Sequence, residues 1–341
     1  HKIDRRWATV MEENKEFVWF DKTALVTGAS GIVGSWLVRA LLEKKCRVVA
    51  FIRDSDQNSE FVRSGDHLKV SVVTGKLEEY SDILRAINEF EVDTVFHLGA
   101  QAIVNSARRM PLQTFEANIR GTYNLLEACR VVHSYGLAAR IVIASSDKAY
   151  GVHSELPYTE DMVLRGRHPY DVSKVCADLI GQGYAETYGL QIGIARSGNV
   201  FGGGDLNWDR IVPGTIRSLI RNENPIIRSD GKYTRDYIYV KDLVEGYIRI
   251  AERDADLGCN SEAFNFGYGQ PISVLEIVNL IRCTMGREDL VPRICDNVVG
   301  EIRDQYLSAA KAKSQLGWNP KYRLENGLEE TLAWYRDYFC S

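Results

Sequence analysis

Short apolar runs alternate with amphipathic stretches through the first half of the chain. "KTALVTG" (22–28) reads as a strand, and "GSWLVRALLEKK" (34–45) spaces its apolar residues as a helix does. "RVVAFIR", "KVSVVTG", "TVFHLGA" and "ARIVIASS" read as further strands. Between them lie the helical patterns "SDILRAINEF" and "TFEANIRGTYNLLEACRVVHSYG". This alternation predicts an α/β fold built on a doubly wound parallel sheet of the Rossmann type. The strands are nearly continuous in hydrophobicity, as expected when helices cover both faces.

Beyond residue 200 the pattern loosens. "GGGDLNWDRIVPGTIRSLIRNENPIIRSDGKYTRDYIYV" is rich in Gly, Asn, Asp and Arg, and "SVLEIVNLIRCTMG" and "ENGLEETLAWYRDYF" then read as helices. A smaller C-terminal lobe covering the carboxyl ends of the strands is expected. The predicted division is an N-terminal extension over 1–21, a sheet domain over 22–198 and mainly a substrate-binding lobe over 199–341, with some segments returning to the sheet domain.

Composition narrows the class of partner. The 341 residues are 45% hydrophobic and 26% charged, with a formal net charge of −4. That balance gives no general attraction to nucleic acid or to anionic membrane surfaces. No apolar run approaches the roughly 20 residues that cross a bilayer. The opening "HKIDRRWATVMEENKEF" lacks the apolar centre of a secretory signal. The seven cysteines (46, 129, 176, 259, 283, 295 and 340) form no CxxC pair and no metal-like cluster. They are expected to be reduced thiols of a cytoplasmic protein without a metal site.

In "VTGASGIVGSWL", Gly28, Gly31 and Gly34 stand where the first strand turns into the first helix. Glycine there admits positive φ and lets backbone approach a pyrophosphate, which a helix N-terminus attracts. A turn that only packs helix on strand has the same GxxGxxG spacing, but its place after the first strand favours a dinucleotide. The expected contacts are Gly28, Ser30, Gly31, Ile32, Val33 and Gly34, with Leu98, Gly99, Ala100 and Gln101 at a neighbouring strand end. NAD readers commonly end the second strand with an acid that binds the adenosine ribose. That position holds Ile52, followed by Arg53 and Asp54. A guanidinium suits a 2′-phosphate, so Arg53 leans the expectation toward NADP, whereas Asp54 turned inward selects NAD.

"HPYDVSKVCADLIGQGYAETYG" carries Tyr170 and Lys174 one helical turn apart, after a helix-starting Pro169. Bringing a phenol from about 10 to about 7 takes about 4 kcal/mol of differential stabilisation. A buried lysine and a cationic nicotinamide ring together supply a plausible source, making Tyr170 a base for a sugar hydroxyl. A lone YxxxK pair is common by chance. Beside the glycine turn and the polar strand tip Ser146-Asp147-Lys148 of "ASSDKAYG", chance is a poor explanation.

These motifs, with "HLGAQA", "NIRGTYNLLEA", "RSGNVFGGG", "RDYIYVKD" and "GEIRDQYLSAAKAKSQLGWNP", run from residue 22 to about 335. On them the chain resembles the extended short-chain dehydrogenase/reductases of the nucleotide-sugar epimerase and dehydratase group. "ASSDK" and "GGGDLNWDRIVP" are most similar to CDP-glucose 4,6-dehydratases. The resemblance implies NAD(P) on the sheet domain, a sugar nucleotide under the lobe and a homodimer through a four-helix contact.

For a dehydratase it implies oxidation at the sugar C4, loss of water across C5 and C6, and return of hydride to C6. Ser146 then bonds O4 beside Tyr170, and Lys174 holds the phenolate and the cofactor ribose. Asp147, kept protonated by burial, is the acid for the departing C6 hydroxyl. Lys148 stands where other dehydratases place the Glu that takes the C5 proton. It acts as that base if desolvation lowers its pKa, or stays charged and stabilises the enolate. Asn199 matches a diphosphate-binding asparagine, and Arg235 and Arg303 match arginines that grip phosphate or ribose. Arg210 and Gln101 are further candidate substrate contacts. His97 is expected to be a satisfied interior histidine, and Lys76 departs from the family's usual adenine-binding step. An epimerase needs only Ser146, Tyr170 and Lys174, so inversion at C4 is the alternative. A non-catalytic NADP sensor is a third reading, against which the intact Tyr170–Lys174 pair stands.

Overall fold

The computed structural model describes residues 17–253, 261–298 and 300–340; most of the expected N-terminal extension, and Cys259, lie outside them. The order of the central sheet follows the predicted alternation. Strands β1 (Thr23–Thr27), β2 (Arg47–Ile52), β3 (Ser71–Thr74), β4 (Thr94–His97), β5 (Arg140–Ser146) and β6 (Ile192–Ser197) lie in the order β3-β2-β1-β4-β5-β6. The strand Ser261–Phe266 pairs with β6 at the edge, and every pairing in this sheet is parallel. The order reverses between β1 and β4, which opens a crevice at the strands' carboxyl ends.

Helices cover both faces, so β1 and β6 are buried at every residue. Leu37, Val38 and Leu41 of helix α1 (Ile32–Glu43) belong to one core, and Ile83, Leu125 and Leu126 belong to the other. Trp19 joins the first core and donates from Nε1 to Glu252 at 2.7 Å. No helix among the described residues is long and apolar enough to cross a membrane.

One predicted helix is interrupted. The segment Pro111–Phe115 passes through a π-turn at Glu116–Arg120 before the helix Gly121–His133. The widened turn carries Asn118, whose buried amide accepts from Gln101 N at 2.7 Å and donates to Gln101 O at 3.1 Å and Ser173 Oγ at 2.9 Å. An irregular turn of this kind commonly serves a site rather than the helix.

The glycine turn is fixed by close approach. Gly28 has φ +68°, and a Cβ there would lie 2.9 Å from Gly99 Cα. At Gly34 a Cβ would meet Gly28 O at 2.1 Å, an atom of backbone that cannot step aside. Gly34→Ala is therefore expected to destabilise the protein by about 3 kcal/mol, the upper range for overpacking. At Gly31 the nearest atom is 3.3 Å away, and Gly31→Ala is expected to cost less than about 1 kcal/mol. Urea unfolding of the two variants measures the contrast.

Candidate active site

The helix Pro169–Tyr188 starts with proline at its first position and stops at Gly189, which takes φ +69°. A buried ion pair sets its register against the sheet. Arg196 on β6 forks onto Asp178, Nε to Oδ2 at 2.8 Å and Nη2 to Oδ1 at 2.9 Å. Ser145 Oγ on β5 donates to the same carboxylate at 2.9 Å. A buried pair holds only when its remaining hydrogen bonds are satisfied in this way. Asp178 lies one turn beyond Lys174, so the anchor also places Lys174 and Tyr170 over the tip of β5.

Lys174 Nζ donates to Ala144 O at 2.9 Å and lies 6.0 Å from the centre of the Tyr170 ring. Burial brings the Lys174 pKa down to about 8, against the opposing charge of Asp178. Burial pushes the Tyr170 phenol up to about 12. Arg210 is the leading influence pulling it back, ahead of the hydrogen bond with Ser146, while Asp147 and Asp171 add to the rise. The lysine therefore does not ionise the phenol by itself, and a second cation of this chain faces it. Arg210 Nη1 is itself held by the buried Asp205 at 3.1 Å.

At the strand tip, Ser146 Oγ donates to Asp147 Oδ1 at 3.2 Å and accepts from the Lys148 backbone N–H at 3.2 Å. Asp147 is 0% exposed. Its Oδ1 also receives Lys148 Nζ at 3.3 Å, whereas Oδ2 is buried with no partner among the described residues. Lys148 Nζ reaches across to Asn199 Oδ1 at 2.9 Å. Two more buried carboxylates flank this group. Burial raises the pKa of Asp171, with Lys148 and then His168 opposing. Asp236 is pushed up to about 6 by burial, although it accepts backbone N–H groups from Tyr268, Gly269 and Leu307 at 2.8, 3.0 and 3.2 Å. Those bonds tie the 268–269 and 307 segments to Asp236, whose backbone O accepts from the Asn199 N–H.

The other predicted residues fall into place unequally. Arg235 is buried and donates to Thr234 O and Arg303 O at 2.8 and 2.9 Å, with its guanidinium over Tyr233. Arg303 also lies over Tyr233, but its side chain is largely exposed, 3.7 Å from Asp230. Gln101 Oε1 accepts from the backbone N–H of Ile103, in its own loop, at 3.1 Å. Arg53 and Asp54 pair with each other at 2.6 Å, and both are exposed at the end of β2. Neither is turned inward. His97 sits between Thr27 Oγ1 at 2.9 Å and Thr122 Oγ1 at 3.0 Å, and burial holds its pKa down to about 3. It is a neutral, satisfied core residue.

The cradle fits a dinucleotide. Leu98 N and Gly99 N both donate to Thr27 Oγ1, which draws the end of β4 close to the glycine turn. A Cβ at Gly28, Gly34 or Gly99 would collide with atoms under 3.0 Å away. Sequence reasoning missed Asn118, Asp178, Arg196 and Asp205. Arg196 carried a signal, because a charged residue inside an otherwise buried strand requires a partner.

Comparison with known proteins places the chain in a family and matches its fold. A family model described as GDP-mannose 4,6 dehydratase matches residues 25–331. The CDP-glucose 4,6-dehydratase of Salmonella typhimurium is 30% identical over 334 residues, covering 93% of this chain and 91% of the relative. A UDP-glucose 4-epimerase from Thermotoga maritima, solved with UDP-glucose, superposes with a TM-score of 0.83 at 28% identity, over 93% of this chain and 99% of its own. A dTDP-glucose 4,6-dehydratase from Bacillus anthracis, solved with NAD, gives 0.81 at 25% identity, over 93% and 97%. A match this long makes the protein a member of the GDP-mannose 4,6 dehydratase family, among the extended short-chain dehydrogenase/reductases that act as nucleotide-sugar dehydratases and epimerases.

Proposed function

We propose that the protein is a nucleotide-sugar 4,6-dehydratase, converting a nucleoside-diphosphate hexose to its 4-keto-6-deoxy form. The observation that carries this reading is Asp147, a wholly buried carboxyl with one oxygen unbonded, beside Ser146 and Lys148. An enzyme that only oxidises and re-reduces C4 has no use for an acid there. Elimination does, because the C6 hydroxyl leaves as water only if it receives a proton.

The cofactor is NADP or NAD, held by the Gly28–Gly34 turn, the Leu98–Gln101 backbone and Lys174; the NAD in the Bacillus anthracis relative supports a nicotinamide dinucleotide. A cofactor held there would supply the hydride acceptor for C4 and the hydride donor for C6. Tyr170 removes the O4 proton through its bond with Ser146. Lys174 and Arg210 favour the phenolate. Asp147 hands its proton to the leaving O6. Lys148, at the same strand tip, removes the C5 proton or stabilises the enolate that forms. Asn199, Arg210, Arg235 and Arg303 bind the sugar nucleotide. Arg53 would meet a 2′-phosphate only by leaving Asp54, so comparing NAD with NADP affinity in Arg53→Ala tests the cofactor preference. Exposed apolar residues on the helices Gly121–His133 and Pro169–Tyr188, namely Tyr123, Val131, Leu179 and Tyr188, support a homodimer through the expected four-helix contact.

The test is to incubate the protein with cofactor and a panel of nucleoside-diphosphate hexoses. The expected product is lighter than its substrate by one water in mass spectrometry. A product of unchanged mass but inverted C4 would replace this reading with a 4-epimerase, which the likeness to the Thermotoga maritima enzyme favours.

A further inference from the structure

A carboxamide has two opposed edges. Its oxygen accepts and its nitrogen donates, whereas an ammonium only donates. At Asn199 the choice of edge is made by Lys148, whose Nζ lies 2.9 Å from Oδ1. The Nδ2 edge is therefore turned away from Lys148, and no described residue accepts from it. The backbone leaves the amide little other freedom. Asn199 N donates to Asp236 O at 2.7 Å, and Asn199 opens a short strand paired with Tyr237. A Cβ at the preceding Gly198 would come within 2.5 Å of that same carbonyl, so the approach is already as close as glycine allows. Only the side-chain torsions remain, and Lys148 holds them. Lys148 is in turn steadied by Asp147 Oδ1 at 3.3 Å.

We propose that Lys148 is a positioning residue for Asn199, holding the amide with its NH2 edge toward the diphosphate of the sugar nucleotide. This rests on the reading above, in which Asn199 meets that diphosphate. One ammonium then serves two neighbours: it partners Asp147 at the chemical step and sets which face Asn199 offers to the phosphate oxygens. With a donor, the amide adds a hydrogen bond to an anion. Turned over, it would set a carbonyl oxygen against phosphate oxygens.

Substrate turnover is not needed to test this. CDP, UDP, dTDP and GDP are titrated calorimetrically into the cofactor-loaded protein, with the binding stoichiometry counting only folded sites. Losing a hydrogen bond to a charged group weakens binding about tenfold or more. Lys148→Met is expected to weaken the tightest of these diphosphates by about tenfold, and Lys148→Arg, again donor-only, by less than about threefold. In an Asn199→Ala background, Lys148→Met should cost almost nothing further, because the group it positions is gone. Additive losses in that cycle would overturn the proposal and make Lys148 a direct phosphate contact. Unchanged binding in Lys148→Met would overturn it as well. If the wild-type protein bound none of the four diphosphates, the sugar-nucleotide reading itself would fall, and this proposal with it.

Discussion

Replacing Asp147 by asparagine is expected to slow formation of the 4-keto-6-deoxy product by about 10²–10⁴-fold, the usual worth of one placed acid. The substitution is nearly isosteric. Its amide oxygen still accepts from Ser146 and Lys148, so the strand tip keeps its shape. What it loses is the proton that the departing C6 oxygen needs. Oxidation at C4 draws instead on Tyr170, Ser146 and Lys174, and should survive. With substrate deuterated at C4, the variant is expected to transfer deuterium to the cofactor and then stall, so reduced cofactor accumulates and is read by its absorbance. If Asp147→Asn turned substrate over at the wild-type rate, Asp147 would only shape the pocket and the elimination chemistry would have to be abandoned. If it failed to transfer deuterium, Asp147 would belong to the oxidation step. Each outcome locates the carboxyl at a different point of the reaction.

The residues that stand at the ends of regular elements were the ones legible in the sequence. Ser146, Asp147 and Lys148 follow an apolar strand, and Tyr170 and Lys174 follow a proline that starts a helix, so local pattern and motif spacing fixed their addresses. The alternation of strands and helices likewise foretold the doubly wound parallel sheet, though not the order of its strands. What could not be read was long-range pairing. Nothing local joins Arg196 to Asp178, or Asn118 to Ser173, yet these contacts decide how the helix sits on the strand tip. The π-turn that turns Asn118 inward has no sequence period of its own. The loop contact of Gln101, whose amide oxygen accepts from the Ile103 N–H, has no sequence period either. Electrostatics depended on packing in the same way. Spacing named Lys174 as the cation for Tyr170, whereas Arg210, from a distant segment, is the leading influence that lowers the phenol pKa against burial.

Lys174→Met is expected to abolish turnover and yet make the protein more stable at neutral pH. The lysine is buried, and its pKa falls from 10.5 to about 8 on folding. Keeping it charged in the folded state at neutral pH costs about 3 kcal/mol by linkage. Methionine has a similar length and removes that cost, but it strands Ala144 O, which accepts from Nζ at 2.9 Å, at about 1 kcal/mol or more. The balance is a gain of about 1–2 kcal/mol, read as a rise of about 2–6 °C in melting temperature. The sign with pH follows. Below pH 8 both the folded and the unfolded wild-type chains hold the proton, and the burial cost is present in full. Between about 8 and 10.5 the unfolded chain binds more protons than the folded one, so the wild type gains stability as pH rises. The advantage of Lys174→Met should therefore shrink across that window and vanish above it. Melting curves of both proteins at several pH values measure this, and a variant less stable than wild type at pH 7 would mean that Asp178 and Ala144 more than offset the burial. Turnover should drop at least 10²-fold at every pH, since no neutral side chain favours the Tyr170 phenolate. A buried charge that weakens the fold and is needed for the reaction is a stability–activity trade-off set by one side chain.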